Sequence, residues 1–198
     1  MIIYIIRHGE TDWNVLRKFQ GRTDIPLNEN GRQVAAWTKK GLKDVAFDLV
    51  YTSPLRRAKE TAQIIVGDRQ IPIVEDERII EMNFGSYEGV EARLQDDNLK
   101  RFFKAPEQYR APEGGESIEE VLQRAGEFLE ELYSDESLSN STILLSTHGA
   151  MLSALMCKIK GVGVADFWSG GLYKNCGFSV IEVKGGKSHI LKESVIAY

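Results

Sequence analysis

Short apolar runs that alternate with segments of helical pattern are the feature that most constrains the fold of this chain. Each run is too short for a helix and is apolar on both faces, which is typical of buried strands in a parallel sheet. The runs lie at residues 2–6, 48–52 and 143–145. The helical segments are expected at about residues 29–42, 55–66 and 149–158. The alternation predicts an α/β fold with three layers, α/β/α, around a mostly parallel, doubly wound sheet.

Local signals indicate where the helix after the second strand begins and where a hairpin turns near the carboxyl end. Ser53 and Pro54 form a helix-start signal, in which Ser is the expected N-cap and Pro the first helical residue. Near the carboxyl end, Gly185 and Gly186 separate two apolar alternating runs. This pattern predicts a closing β-hairpin over about residues 178–195.

The segment of about residues 85–135 differs from the rest of the chain. It is charged and helical in pattern, and Pro106 and Pro112 interrupt it. Ser117 followed three residues later by Glu has the form of a capping box, which predicts a helix from there to about residue 133. We interpret the segment as a small helical lid inserted in a single domain that spans residues 1–198.

Charge and cysteine usage narrow the classes of function. The chain has 198 residues and a net charge of −4, with Lys and Arg scattered, so a nucleic-acid partner is not expected. No apolar stretch reaches the length of a transmembrane helix, and no leader sequence is evident, so we expect a cytoplasmic protein without a membrane partner. Cys157 and Cys176 are interpreted as reduced, buried thiols. The three histidines form no Cys/His pattern of a structural zinc site.

Cationic and titratable side chains follow all three predicted strands. Arg7 and His8 come directly after the first strand, Arg57 lies in the first turn after the second, and His148 and Gly149 follow the third. Right-handed crossovers place the carboxyl ends of these strands at one edge of the sheet, where α/β proteins bind their ligands. Guanidinium groups and helix N-termini match phosphate oxygens, so the edge is expected to bind an anion. The strand ends lack the carboxylate cluster of a magnesium site.

Four motifs, taken in order, resemble those of the histidine phosphatase superfamily, the phosphoglycerate mutase-like proteins. They are Arg7-His8-Gly9-Glu10-Thr11 with Gln20-Gly21-Arg22, Ser53-Pro54-Leu55-Arg56-Arg57, Glu81-Met82-Asn83-Phe84-Gly85 with Glu88-Gly89, and Thr147-His148-Gly149. Together they span nearly the whole chain, and four ordered matches are far more specific than the opening tripeptide alone.

The resemblance implies a metal-independent reaction through a phosphohistidine, with no cofactor. By that resemblance His8 attacks phosphorus, and Glu81 protonates the leaving oxygen and then activates water. Catalysis would also involve three residues that bind the phosphoryl oxygens, namely Arg7, Arg57 and His148. We expect His148 to act as the imidazolium, with both ring nitrogens as donors. The remaining phosphate-binding residues are expected to be Asn14, Gln20, Gly21 and Gly149.

The family contains phosphatases and mutases, and this chain is more similar to the phosphatases. Mutases carry a Tyr where this chain has Phe84 and a Lys where it has Ala92. We therefore expect a phosphomonoesterase that hydrolyses a small phosphorylated metabolite. The alternatives are a cofactor-dependent phosphoglycerate mutase and, in another class, a non-catalytic module that binds a phosphorylated ligand.

Specificity is expected to come from the lid segment. Its cationic side chains could meet a substrate carboxylate, and the candidates are Arg93, Lys100, Arg101, Lys104 and Arg110. Arg56 is interpreted as a partner in a surface ion pair, and His189 as a structural residue.

Overall fold

A six-stranded mixed sheet lies at the centre of the fold in a computed structural model, which describes residues 1–92 and 96–197. The strands are β1 (Ile2–Arg7), β2 (Leu49–Thr52), β3 (Ile73–Glu75), β4 (Thr142–Thr147), β5 (Phe178–Lys184) and β6 (Lys187–Val195). Their order is β3-β2-β4-β1-β5-β6. The first four strands are parallel, and β5 and β6 pair antiparallel at one edge. The α/β fold and the closing hairpin that the sequence predicts are confirmed.

Helices cover both faces of the sheet. They are α1 (Asp12–Val15), α2 (Glu29–Gly41), α3 (Arg56–Val66), α4 (Asp97–Lys104), α5 (Ile118–Ser134) and α6 (Gly149–Lys160). Short 3-10 helices lie at Glu77–Ile79, Gly85–Tyr87, Pro106–Gln108, Glu136–Leu138 and Val164–Asp166. Successive side chains of β4 point to opposite faces, so Ile143 packs in the core under α5 and α6, and Leu144 in the core under α2 and α3. This arrangement gives the three predicted layers.

The ends of two helices test the predicted caps. The capping box at Ser117 is present, because its hydroxyl accepts from the Glu120 N–H and the Glu120 carboxylate accepts from the Ser117 N–H. The prediction for Ser53 is wrong, since α3 begins at Arg56 and has Leu55 as its N-cap. Ser53 is buried, and its hydroxyl contacts the ring of His148 instead.

Strand register brings the polar ends of the parallel strands together. Arg7 at the end of β1 lies opposite Thr147 at the end of β4, and Thr52 at the end of β2 lies opposite Ser146. The residues that follow β1, β2 and β4 therefore meet at one edge of the sheet, as the sequence predicts.

The predicted lid segment divides into two parts in the structure. Helix α5 belongs to the helical layer, because its apolar face is buried against α6 and the sheet. The part before α5 carries Phe84 and Phe102, whose rings contact each other edge to face with centroids 5.4 Å apart. Phe102 also contacts Trp168, whose indole N–H donates to the Phe102 carbonyl oxygen. These contacts attach α4 to the loop after α6.

Across residues 1–92 and 96–197, no helix is both long and apolar enough to cross a membrane.

Candidate active site

A pocket of about 390 Å³ opens at the carboxyl ends of the parallel strands. It brings together the residues that the sequence singles out. Those that line it are Arg7, His8, Asn14, Gln20, Gly21, Arg57, Glu81 and Gly149. His148 lies directly behind them, with its ring centroid 5.2 Å from that of His8.

The imidazole of His8 is held with one nitrogen free for chemistry. Its Nδ1 lies 2.6 Å from the Gly9 carbonyl oxygen, so Nδ1–H donates and Nε2 keeps the lone pair. Burial, followed by the charges of Arg57 and Arg7, holds the pKa of His8 well below its ordinary value of 6.5. The ring is therefore a neutral imidazole near pH 7, the form that can act as a nucleophile.

Arg57 is a fully buried cation whose orientation is fixed on three sides. Its Nη2 donates to the Gly21 carbonyl oxygen at 2.6 Å and its Nη1 to the Thr23 carbonyl oxygen at 2.8 Å. Its Nε donates to His148 Nδ1 at 3.2 Å. Burial lowers the pKa of Arg57 to about 10, against the nearby charges of Glu81, Asp24 and Glu88, which raise it. The guanidinium thus remains charged at neutral pH.

Arg7, which lines the pocket, has a buried donor without a partner among the described residues. Its Nη1 donates to the Tyr173 carbonyl oxygen, but its Nε is buried without a hydrogen bond to any described residue. An unsatisfied buried donor costs about 1–3 kcal/mol, and more when the group is charged. An anion oxygen in the pocket would remove that cost. The arrangement of Arg7 therefore favours an anion in the pocket.

His148 differs from the expected imidazolium. Its Nδ1 accepts from Arg57 Nε, so that nitrogen carries no proton, and its Nε2 lies 2.7 Å from the Ser53 hydroxyl. Burial, followed by the charge of Arg57, holds its pKa well below 6.5. The neutral ring is preferred because burial and the guanidinium groups of Arg57, Arg124 and Arg7 all oppose a further positive charge.

Glu81 is positioned by backbone amides rather than by other side chains. Its Oε1 accepts from the N–H groups of Met82 at 2.9 Å and Met151 at 3.0 Å, and its Oε2 from that of Ala150 at 3.3 Å. Two of these amides form the N-terminus of α6, next to Gly149. The first turn of α6 therefore positions the carboxylate in the pocket.

The polar lining is completed by Asn14, Gln20 and Gly21. Asn14 Oδ1 accepts from Thr11 and from Asn175 Nδ2 at 3.2 Å, and these bonds fix the orientation of the Asn14 side chain. Gln20 Oε1 is buried without a partner among the described residues. Gly21 contributes through its carbonyl oxygen, which orients Arg57.

Of the cationic candidates in the predicted lid segment, those that the structure describes, Lys100, Arg101, Lys104 and Arg110, do not line this pocket. Arg93 lies outside the described residues. Among those that are described, Lys100 pairs with Asp97, and Arg110 donates to the Tyr109 carbonyl oxygen. The pocket mouth instead contains Arg17 and Lys18, which sequence reasoning missed because they belong to no strand end. Arg56 forms the expected surface ion pair, with Asp24.

The buried rings of His8 and His148 should make the free energy of unfolding depend on pH. Both rings have depressed pKa values in the folded chain, so below about pH 6.5 the unfolded chain takes up protons that the folded chain does not. The free energy of unfolding should fall as the pH drops through this range, by up to about 1.4 kcal/mol per pH unit for each ring. Denaturant unfolding at several pH values measures the slope.

A variant separates these histidines from the carboxylates that also titrate in acid. In His8→Asn, the slope of the unfolding free energy against pH between about pH 7 and pH 5 should be smaller by the contribution of one histidine. An unchanged slope would contradict the depressed pKa of His8.

Comparisons with known proteins agree with this geometry. Residues 3–195 match the family described as the histidine phosphatase superfamily (branch 1). The chain is 37% identical over 159 residues to the uncharacterized phosphatase PhoE of Bacillus subtilis. The aligned region covers 80% of this chain and 77% of PhoE. It is 30% identical over 200 residues to phosphoserine phosphatase 1 of Hydrogenobacter thermophilus, with 99% and 93% covered. The solved structure of Bacillus stearothermophilus YhfR superposes with a TM-score of 0.91 at 37% identity, over 98% of this chain and 97% of that one.

Proposed function

The chain belongs to the histidine phosphatase superfamily, branch 1, and we propose that it hydrolyses small phosphate monoesters through a phosphohistidine formed on His8. The observation that carries this proposal is the bond from His8 Nδ1 to the Gly9 carbonyl oxygen, which leaves Nε2 free in a pocket that Arg7 and Arg57 also line. Relatives named as phosphatases, among them an adenosylcobalamin/alpha-ribazole phosphatase of Escherichia coli, support the phosphatase activity. The reaction needs no metal ion.

In the first step of the proposed mechanism, His8 Nε2 attacks phosphorus and the bond to the ester oxygen breaks. The phosphoryl oxygens accept hydrogen bonds from Arg7, Arg57 and the amide of Asn14, which stabilise the charge of the transition state. In this proposal Glu81 carries a proton when the ester is bound and gives it to the leaving oxygen, so the product of this step is a neutral alcohol.

In the second step, water replaces the alcohol beside the phosphohistidine. The water oxygen attacks phosphorus while Glu81 takes a proton from that water, and the bond from phosphorus to His8 Nε2 breaks. Phosphate leaves, His8 recovers its lone pair, and Glu81 is again protonated for the next turnover.

Two alternatives predict different outcomes in the same assays. A phosphoglycerate mutase would isomerise 3-phosphoglycerate in the presence of 2,3-bisphosphoglycerate and release little phosphate; the phosphatase-named relatives and Phe84 make it less favoured. A non-catalytic binding module would bind phosphate esters and turn over none. We expect phosphate release from para-nitrophenyl phosphate and slow or no isomerisation.

The pocket wall beyond the phosphate site suggests the preferred kind of ester. Among the described residues this wall is mainly apolar, with Phe103, Trp168 and Leu172 facing the opening. Burying an ammonium group against such a wall is unfavourable, whereas burying an aryl or alkyl group is favourable by about 25 cal/mol per Å². We propose that esters with an apolar body are better substrates than phosphoserine.

This preference is a prediction for steady-state kinetics. The wild type should hydrolyse 1-naphthyl phosphate with a higher kcat/KM than phosphoserine. Phe103→Ala should lower kcat/KM for the naphthyl ester by about tenfold, mainly through KM, because the naphthyl group loses its contact with the Phe103 ring. Its effect on phosphoserine should be small. An equal loss for both esters, or a wild type that prefers phosphoserine, would contradict the proposed preference.

The cytoplasmic location expected from the sequence stays a prediction, which cell fractionation with an antibody against the chain tests.

A further inference from the structure

We propose that Glu88 is a positioning residue for the reaction, which aims Arg57 at the phosphoryl group by fixing the loop of residues 21–23. The proposal rests on the proposed function, since it assigns Arg57 the phosphoryl oxygens. Glu88 does not line the described pocket, so it reaches the phosphoryl group only through Arg57, whose cationic form its charge also favours.

The first link joins the Glu88 carboxylate to the loop. Its Oε1 accepts from the backbone N–H of Arg22 at 2.9 Å, and its Oε2 from that of Thr23 at 2.9 Å. The Thr23 hydroxyl also donates to Oε2. Two adjacent amides thus converge on one carboxylate, an arrangement that holds a short loop in a single conformation.

The loop is shaped to let Glu88 come this close. Gly21 has a φ of +52°, in the left-handed region that favours glycine. A Cβ at Gly21 would overlap the carboxylate of Glu88. The absence of a side chain at this position therefore serves the contact with Glu88 as well as the turn.

The second link joins the same loop to the catalytic cation. The carbonyl oxygens of Gly21 and Thr23, which flank the two clamped amides, accept from the two terminal nitrogens of Arg57. These two carbonyls fix the plane of the guanidinium. A loop that moved by a fraction of an ångström would turn that plane away from the phosphoryl oxygens.

Glu88 is itself held firmly by the fold. The N–H of Phe84 donates to its Oε1 at 3.3 Å, and its neighbour Gly89 donates to the Phe19 carbonyl oxygen at 2.8 Å. Phe19 in turn donates to the Val90 carbonyl oxygen at 3.0 Å. The segment around Glu88 is thus hydrogen-bonded to the residues just before the clamped loop. These bonds restrain the position of the Glu88 carboxylate relative to that loop.

The test uses two substitutions of Glu88 and one matched control. Glu88→Ala removes both acceptor oxygens, and we expect kcat to fall by about a hundredfold with a smaller change in KM, as for a catalytic group displaced by about 1 Å. Glu88→Gln keeps one of the two acceptor oxygens, so the loss of kcat should be clearly smaller than in Glu88→Ala. Glu91→Gln removes the charge of an exposed carboxylate three residues away and should behave as the wild type.

A double-mutant cycle with Arg57 distinguishes positioning from general damage. The substrate is para-nitrophenyl phosphate, whose easily lost leaving group keeps slow variants measurable. If Glu88 acts through Arg57, Glu88→Ala should cause no further loss in an Arg57→Ala background. Full additivity of the two losses would overturn the proposal, as would a Glu88→Ala or Glu88→Gln variant with wild-type kcat. A wild type without phosphatase activity would instead contradict the proposed function.

Discussion

Replacing His8 by asparagine is expected to lower kcat for para-nitrophenyl phosphate by about 10⁴-fold or more, because the variant lacks the atom that attacks phosphorus. Asparagine is close in size and can still donate to the Gly9 carbonyl oxygen, as His8 Nδ1 does. The pocket should therefore keep its shape and its affinity for phosphate. Steady-state phosphate release measures the loss, and phosphate binding to the variant checks the pocket.

The control for this substitution is His189→Asn, which changes an exposed histidine of β6 outside the pocket. It should keep wild-type kcat and KM. Loss of phosphate binding together with activity in His8→Asn would indicate a damaged pocket, and a kcat within about tenfold of the wild type would contradict the assignment of His8 as nucleophile.

The second large effect is expected from Glu81→Gln, and it should depend on the leaving group. An alkyl phosphate needs a proton on its leaving oxygen, so its kcat should fall by about 10²–10⁴-fold. Para-nitrophenolate leaves without a proton, so the first step survives with that ester, while the water attack that Glu81 assists becomes slow. Stopped-flow measurements should give a burst of one nitrophenolate per enzyme followed by a slow steady state.

Glu91→Gln provides the control here as well, with no burst and wild-type rates for both esters. Equal losses for the alkyl and nitrophenyl esters, without a burst, would contradict the role of Glu81 in proton transfer.

The sequence predicts the fold well because its signals are local. The runs that form β1 and β4 are apolar on both faces, and this pattern leaves a parallel sheet as the favoured arrangement. Once β1, β2 and β4 are parallel, topology alone places the residues after them at one edge. The meeting of Arg7, His8, Arg57 and His148 therefore follows from positions in the chain.

The parts that sequence reasoning missed depend on contacts between distant segments. Ser53 reads as a helix cap, and its bond to His148, 95 residues away, has no local signal. The neutral state of His148 depends on where the Arg57 guanidinium points, which is a property of the folded pocket. Glu88 belongs to the third motif, but no role for it follows from the sequence, and the proposed positioning role rests on its contacts with the loop of residues 21–23.

The central claim is that the phosphoryl group is transferred to Nε2 of His8. The most direct test is to mix the enzyme with an activated ester, quench in alkali within milliseconds, and locate the phosphoryl group by peptide mass spectrometry and by chromatography of the two phosphohistidine isomers. The structure predicts one phosphoryl group on His8, attached to Nε2, because Nδ1 donates to the Gly9 carbonyl oxygen. A phosphoryl group on Nδ1 or on another residue, or turnover without a phosphorylated enzyme, would contradict this account.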